Sequence, residues 1–354
     1  MKDRLRSRSV WCRFVPFLYL VVLASSGCEI ARYPYFTPLD PGVLWVANSA
    51  DNTVTCIDRI NDRVKGTWAV GPNPSRTAVD MAGNCWVGSR GDGTVWFVTP
   101  AGRTLTFEGF SAARGIALDR NGDVWVANSG NATIQKIAVR EGTVSEQVSI
   151  GGVYYYGALI DSGGILWIAD TSGQQMIRYD TAGFPGGAAG QIALPGSIYG
   201  FTIDRDDTVW VAGSSGPILY RIPAGSSAPE TIALTDQTGG LYAVVFDTNG
   251  RIWATNDGNN RLLRYDPADG MVATVQLDAV SAPLEPGTYP HGLGADEQGF
   301  VYSVNMSSNN VSKVDVVSCA VVTTYPVGAT PYTYSDLTGF IYRNVTRKPA
   351  AAGP

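Results

Sequence analysis

The sequence predicts an all-β chain folded as a β-propeller of seven four-stranded blades, with eight blades as the alternative. Two observations carry that prediction. The first is a seven-residue frame, Asp-x-x-Gly-x-aliphatic-aromatic, recurring with its Asp at positions 80, 119, 161, 204, 247, 296 and 336. The closing aromatics are Trp86, Trp125, Trp167, Trp210, Trp253, Tyr302 and Tyr342, preceded by a shorter variant that ends at Trp45. From Trp45 to Tyr302 they lie 41, 39, 42, 43, 43 and 49 residues apart, the period of a blade of short strands. The second is composition. The chain has 41 glycines and only 16% charged residues, which suits tight turns between buried strands, and it shows no long 3.6-residue amphipathic pattern.

The copy from Ala112 to Val148 displays one blade most clearly. Gly115 to Leu118 is a short apolar strand, Asp119 to Gly122 a turn, and Asp123 to Asn128 a second strand. Another turn, Ser129 to Asn131, precedes the alternating stretch Thr133 to Ala138, and Val144 to Val148 makes a fourth strand. Gly and Asn supply the turn positions that need positive φ. In the first strand, residues one and three places before the frame Asp should pack between blades. Those between them (Ala78, Ala117, Leu159, Thr202, Val245, Gly294) are mostly small, as crowding around a central channel requires. The frame aromatic reads as the core plug of each blade.

Complete copies start at Tyr35, Ser75, Arg114, Tyr156, Tyr199, Tyr242 and His291, the first interrupted by Pro38. A partial copy follows from Pro331 to Tyr342. Propellers remove their exposed edge by mixing strands of both termini in one blade, so this last copy is expected to repair blade one. Under that closure Phe340–Tyr342 are surplus, which keeps the eight-bladed alternative open. The propeller is bounded at 35–345, with 346–354 expected as a disordered tail.

The N-terminus stands apart. Lys2, Arg4, Arg6, Arg8 and Arg13 precede the apolar stretch Phe14 to Ala24, too short for a comfortable bilayer span and suited to an export signal. Ala24-Ser25-Ser26-Gly27-Cys28 resembles a bacterial lipoprotein signal, with Ser25 where leucine is usual. The resemblance implies removal of residues 1–27, lipidation of Cys28, a linker over 28–34, and a protein anchored in the bacterial cell envelope facing the periplasm or exterior. An ordinary secretory signal is the alternative. Cleavage removes five positive charges and Asp3, moving the net charge from −5 to −9, the wrong sign for nucleic acid or anionic lipid. Cys56, Cys85 and Cys319 then permit one disulfide or three buried thiols.

Two sets of positions are candidates for function. Five residues before the frame Asp stand Ser75, Arg114, Tyr156, Tyr199, Tyr242 and His291, with Tyr35 in the first copy and Tyr332 in the last. This place opens the inner strand, so these side chains should ring one mouth of the channel. Tyrosine offers a flat face and a phenol for a sugar, aromatic ligand or peptide. Arg114 can clamp a carboxylate or phosphate, and His291 can act as base or ligand; sealing of the channel end is the structural alternative. Three residues after the frame aromatic, Asn48, Ser89, Asn128, Asp170, Gly213, Asn256 and Asn305 form a second set. Of these, Asn128, Asp170, Asn256 and Asn305 are candidates for a hard divalent cation, against an ordinary role closing hairpins.

Leu44 to Val54 (LWVANSADNTV), with Ile57-Asp58 and Trp68 to Gly71, resembles the YVTN class of propeller repeat. Gly115 to Asp119 with Trp125 to Ser129 resembles an NHL or streptogramin-lyase (virginiamycin B lyase) repeat. The lyase resemblance implies metal-assisted elimination by histidines on the propeller face, yet His291 is the one histidine of the chain. A calcium-dependent gluconolactonase is similar at fold level alone. No Gly-x-Ser-x-Gly, Walker, His-Glu-x-x-His or Cys-x-x-Cys motif occurs. The expectation is therefore a monomeric binding or interaction module without a required cofactor. Its partner would be an envelope protein, glycan or small molecule at the tyrosine-rich mouth. A lyase using His291 and a structural envelope protein are the alternatives.

Overall fold

In the computed structural model, which describes residues 40–348 except 236, seven antiparallel sheets succeed one another along the chain. The signal segment 1–27, Cys28, the linker 28–34, Tyr35 and residues 349–354 lie outside the described residues. Blade 2 shows the pattern, with strands Pro74–Val79, Cys85–Ser89, Thr94–Val98 and Thr104–Phe107 paired in sequence order. Blades 4 to 7 repeat it, with inner strands Tyr155–Ile160, Ile198–Ile203, Val244–Phe246 and Pro290–Ala295. Blade 3 starts at Ala113–Leu118 and splits its outer strand into Thr143–Val144 and Val148–Ser149. Burial follows position: inner and second strands are almost wholly buried, whereas outer strands such as Thr104–Phe107 are exposed.

The repeated frame has a direct physical reason. In the copy at Asp161, one carboxylate oxygen accepts from the backbone N–H of Gly163 and Ile165, and the other from Trp167 Nε1 at 2.8 Å. Asp119, Asp204 and Asp247 make the same set with Trp125, Trp210 and Trp253. Asp296 takes the Tyr302 hydroxyl at 2.6 Å. One acid thus closes the turn and fixes the aromatic six residues on, so that the buried ring leaves no unmet polar atom. The frame glycines have φ between 76° and 86°, a region costly for other residues. Asp207, in the glycine place of the copy at Asp204, accepts φ 58° there and its carboxylate takes the Ser162 N–H and hydroxyl.

Blade 1 has three strands of its own, Val43–Asn48, Thr53–Asp58 and Arg63–Ala69. Its inner place is taken by the C-terminal copy. Pro331 bridges Asn48, Tyr332 N–H donates to Ala47 O at 2.9 Å, and Trp45 N–H donates to Leu337 O at 3.0 Å. The ring therefore closes at seven blades. A Cβ on Gly292 of blade 7 would fall 1.6 Å from Thr333 O, so that glycine admits the closing strand. Arg59 secures the same seam: it donates to Asp40 at 2.5 Å, to Asp296 of blade 7 at 2.6 Å, and to Val43 O at 2.9 Å.

Beyond the closing strand the structure corrects the sequence reading. Phe340–Tyr342 begin no strand. They enter a short helical segment continued by Tyr342–Thr346 as a π-helix. Phe340, Ile341, Tyr342 and Val345 are buried, and Thr346 Oγ1 donates to Ile160 O, so residue 346 is not frayed. Arg343 donates to Glu297, and Arg120 and Lys348 bond across to the same segment and to Arg205 O. This plug covers the end of the channel at which the frame turns lie. Its backbone turns because Asp336 accepts from the N–H groups of Ile341 and Tyr342 instead of from a strand turn. Cys56, Cys85 and Cys319 are free thiols, and burial pushes Cys56 up to about 12.

Deleting residues 339–354 removes four buried apolar side chains, Phe340, Ile341, Tyr342 and Val345, each worth roughly 1.5–3 kcal/mol. A drop of about 5–15 °C in the thermal midpoint is expected by circular dichroism; an unchanged midpoint would show that the plug is dispensable.

Candidate ligand site at the channel mouth

At the end opposite the plug, the inner strands of blades 2 to 5 and of blade 7 share an irregularity. Pairing with the second strand slips between Pro74 and Arg76, Ala113 and Gly115, Tyr155 and Ala158, Ile198 and Phe201, and Pro290 and Gly292. Each bulge contains the place five before the frame Asp, and a bulge frees and re-aims the side chain it carries. Arg114, Tyr156, Tyr199 and His291 are turned in this way toward the channel axis, where Tyr332 and Tyr334 arrive on the closing strand.

All six candidate residues meet there. The phenols of Tyr156, Tyr199 and Tyr332 hydrogen-bond to one another, Tyr199 to Tyr332 at 2.5 Å. Arg114 donates to Tyr154 Oη at 2.6 Å and to Tyr332 Oη at 3.3 Å, and its guanidinium lies 3.8 Å from the Tyr156 ring centre. His291 Nε2 stands 3.0 Å from Tyr199 Oη, while Nδ1 is 3.3 Å from Asp257 Oδ2. Tyr242 meets Tyr199 edge-on at 4.9 Å and His291 at 5.2 Å. Tyr199, Tyr242 and Tyr332 keep part of their surface exposed, while Arg114, Tyr156 and His291 are buried.

Sequence reasoning missed Arg76, Tyr334, Asp257 and Arg90. Arg76 follows Ser75, the blade 2 member of the ring, and the bulge lets this neighbour enter the channel. It is fully buried, with its guanidinium 3.3 Å from the Tyr334 ring centre and 4.5 Å from that of Tyr156. Tyr334 lies two residues beyond Tyr332, a spacing that puts both on one face of a strand; that signal was available. Asp257 follows Asn256 at the hairpin end, and nothing in the sequence links it to His291. Arg90 lies in the loop after Cys85–Ser89, and its guanidinium is 5.2 Å from the Tyr332 ring.

The cluster is rich in positive charge. Burial and the neighbouring Arg114 and Arg76 draw Arg90 down to about 10. Burial would raise the Tyr332 phenol, but Arg76 and Arg114 outweigh it and hold the phenol below its ordinary value. Burial raises Tyr156 and Tyr199. His291 is lowered, by burial first, against the pull of Asp257. It is therefore neutral at pH 7, oriented by Asp257, with Nε2 facing a phenol.

The candidate cation ligands do not converge. Asn128 Nδ2 donates to Thr133 and Gln135, Asp170 accepts from Val153, Tyr154, Gly173 and Gln175, and Asn305 Nδ2 donates to Asn310 and Ser312. Asn256 donates to Thr238 O and Gly240 O. Each is fully buried within its own blade, tying the second strand to its neighbours. Among the described residues no group of three or more His, Cys, Asp or Glu side chains is placed to hold a metal ion.

A histidine depressed in the folded state makes stability fall with pH: the contribution is present above the unfolded value near 6.5 and is lost as pH drops toward the lower folded value. Asp336, raised to about 6, has the opposite slope at lower pH. The difference between wild type and His291→Gln in urea unfolding from pH 7.5 to 5 isolates the histidine. Wild type is expected to lose stability relative to the variant; parallel curves would refute the assignment.

Comparison with known proteins follows the same architecture. An NHL repeat model matches residues 110–137, the first three strands of blade 3. No curated protein matches the chain in sequence. Among solved structures, virginiamycin B lyase from Staphylococcus aureus is similar at 14% identity and a TM-score of 0.64, over 74% of this chain and 89% of the lyase. A streptogramin B lyase structure is similar at 20% identity and a TM-score of 0.62, over 75% and 90%. A functionally unknown protein from Desulfotomaculum acetoxidans gives 11% identity and a TM-score of 0.63, over 80% and 95%. The chain is thus a seven-bladed β-propeller with an NHL repeat, a scaffold that serves interaction and enzyme-like modules alike.

Proposed function

We propose that this propeller is exported, anchored through a lipid on Cys28, and works in the bacterial cell envelope as a monomeric binding module whose recognition surface is the tyrosine-rich mouth. The observation that carries the reading is the contrast between the two channel ends. One is stopped by an apolar plug built on Phe340, Ile341 and Val345. The other gathers Arg114, Tyr156, Tyr199, Tyr242, His291 and Tyr332, with phenols and guanidinium directed at one another. A channel needing nothing but closure would be served by the first solution twice. Aromatic faces with polar tips suit an envelope protein, a glycan or a small molecule. Rigid sheets hold them without rearrangement.

A second reading is favoured by the alignment of Asp257, His291 and Tyr199, in which a carboxylate orients a neutral imidazole toward a group it can deprotonate. It corresponds to a lyase with His291 as base. A divalent metal does not fit that site, because both imidazole nitrogens are engaged and Arg76 and Arg114 lie over the Tyr156 ring that adjoins Tyr199, repelling a cation. Turnover of a streptogramin B substrate by the wild type, lost in His291→Ala, would carry this reading, and absence of turnover would remove it.

Crosslinked capture from native envelopes tests the first reading. The wild-type chain is compared with a folded variant carrying Tyr156→Ala, Tyr199→Ala and Tyr242→Ala. A partner held by wild type and lost in the variant is expected, with Cys28→Ala moving the bait from the membrane to the soluble fraction. Equal capture by both proteins would place recognition elsewhere, and a bait that stays in the membrane without Cys28 would refute the anchor.

A further inference from the structure

Among the described residues four arginines are buried, and they fall into two classes. At the plugged end, Arg59 is paired with Asp40 and Asp296, and Arg343 with Asp40 and Glu297. Each of these guanidiniums has two carboxylates, as a charge withdrawn from water requires. At the mouth the pairing is missing. Arg76 is fully buried and Arg114 is 4% exposed, yet neither forms an ion pair among the described residues. Arg76 Nε and Nη2 and Arg114 Nε have no hydrogen-bond partner. The Arg76 side chain makes one polar contact, Nη1 to Ser75 O at 3.3 Å.

Arg90 adds a third guanidinium on the same rings. The three central carbons of Arg76, Arg90 and Arg114 lie 5.2, 5.2 and 5.9 Å from the centre of the Tyr332 ring. The carboxylate in the cluster, Asp257, is engaged with His291. Stacking on tyrosine offsets part of the cost of burying such charge. It leaves the N–H donors unmet. Guanidinium forks present paired donors matched to carboxylate and phosphate oxygens.

We infer that the mouth is a site for an anionic small molecule, whose carboxylate or phosphate is received by Arg76 and Arg114 and whose body lies against the tyrosine rings. This rests on the reading of the mouth as a binding site and adds the charge class of the ligand. The rings of Tyr156 and Tyr332 lie against Arg76 while their phenols bond to each other and to Tyr199, so the anion takes over hydrogen bonds the phenols now make with one another. Partly exposed Arg90 stands where an approaching anion meets the first positive charge.

Isothermal titration of the purified chain with benzoate, inorganic phosphate and the neutral benzyl alcohol tests this. At least one anion is expected to bind, more weakly as sodium chloride is raised, with no comparable binding of benzyl alcohol. Arg76→Met should weaken binding of that anion at least about thirtyfold, the loss for removing one partner of a buried charge pair. Should Arg76→Met fail to fold by circular dichroism, Arg90→Met replaces it, with an expected loss of roughly fivefold, as for a screened charge of about 1 kcal/mol. Equal binding of benzoate and benzyl alcohol, or anion affinity unchanged in the variant, would overturn the anion assignment while leaving a ligand site at the mouth. Binding of neither anion would also overturn it, and envelope capture with the tyrosine variant judges the mouth independently.

Discussion

The structure depends on one pairing between the ends of the chain: residues 331–337 laid against Val43–Asn48. Without it, blade 1 has three strands and an inner edge open toward the channel, and the ring has no seam. The same seven residues deliver Tyr332 and Tyr334 into the channel. Closure and site are therefore one structural act, since the strand that satisfies the edge also places the rings on which Arg76 and Arg114 stack. The close approach at Gly292 and the Arg59 clasp between blades 1 and 7 are consequences of bringing that strand home.

The two channel ends solve the same packing problem with different chemistry. At the frame-turn end, Asp40, Asp296 and Glu297 neutralise Arg59 and Arg343, with Asp296 serving its turn as well. At the mouth, strand bulges turn out arginine, tyrosine and histidine, and charge accumulates without neutralisation. A chain of net charge −5 thereby holds a local positive centre. That separation would be costly in a purely structural element, and it coincides with the irregular backbone of the inner strands.

Much of the site was legible in the sequence because the blade repeat puts equivalent positions at equivalent heights around the axis. Aligning copies on the frame Asp therefore brought Arg114, Tyr156, Tyr199, Tyr242, His291 and Tyr332 onto one list of neighbours before any coordinates. Arg76 was hidden because a bulge shifts which residue faces inward, and strict alternation assigned that role to Ser75. Asp257 was hidden because its contact with His291 crosses from one blade to the next. The second set, from Asn48 to Asn305, looked similar in sequence but is spent within each blade on the adjoining strand.

By itself the sequence determined the blade, through the period of the aromatics and the Asp that binds both its turn and its ring, because these are contacts within about seven residues. It also determined the hydrophobic alternation and the net charge. Tertiary structure alone decided how many blades close the ring, that Phe340–Val345 turn into a plug and not an eighth blade, and that three guanidiniums share one tyrosine. Those outcomes rest on contacts between residues hundreds of positions apart, where the geometry of closure, and no local preference, sets which side chains meet.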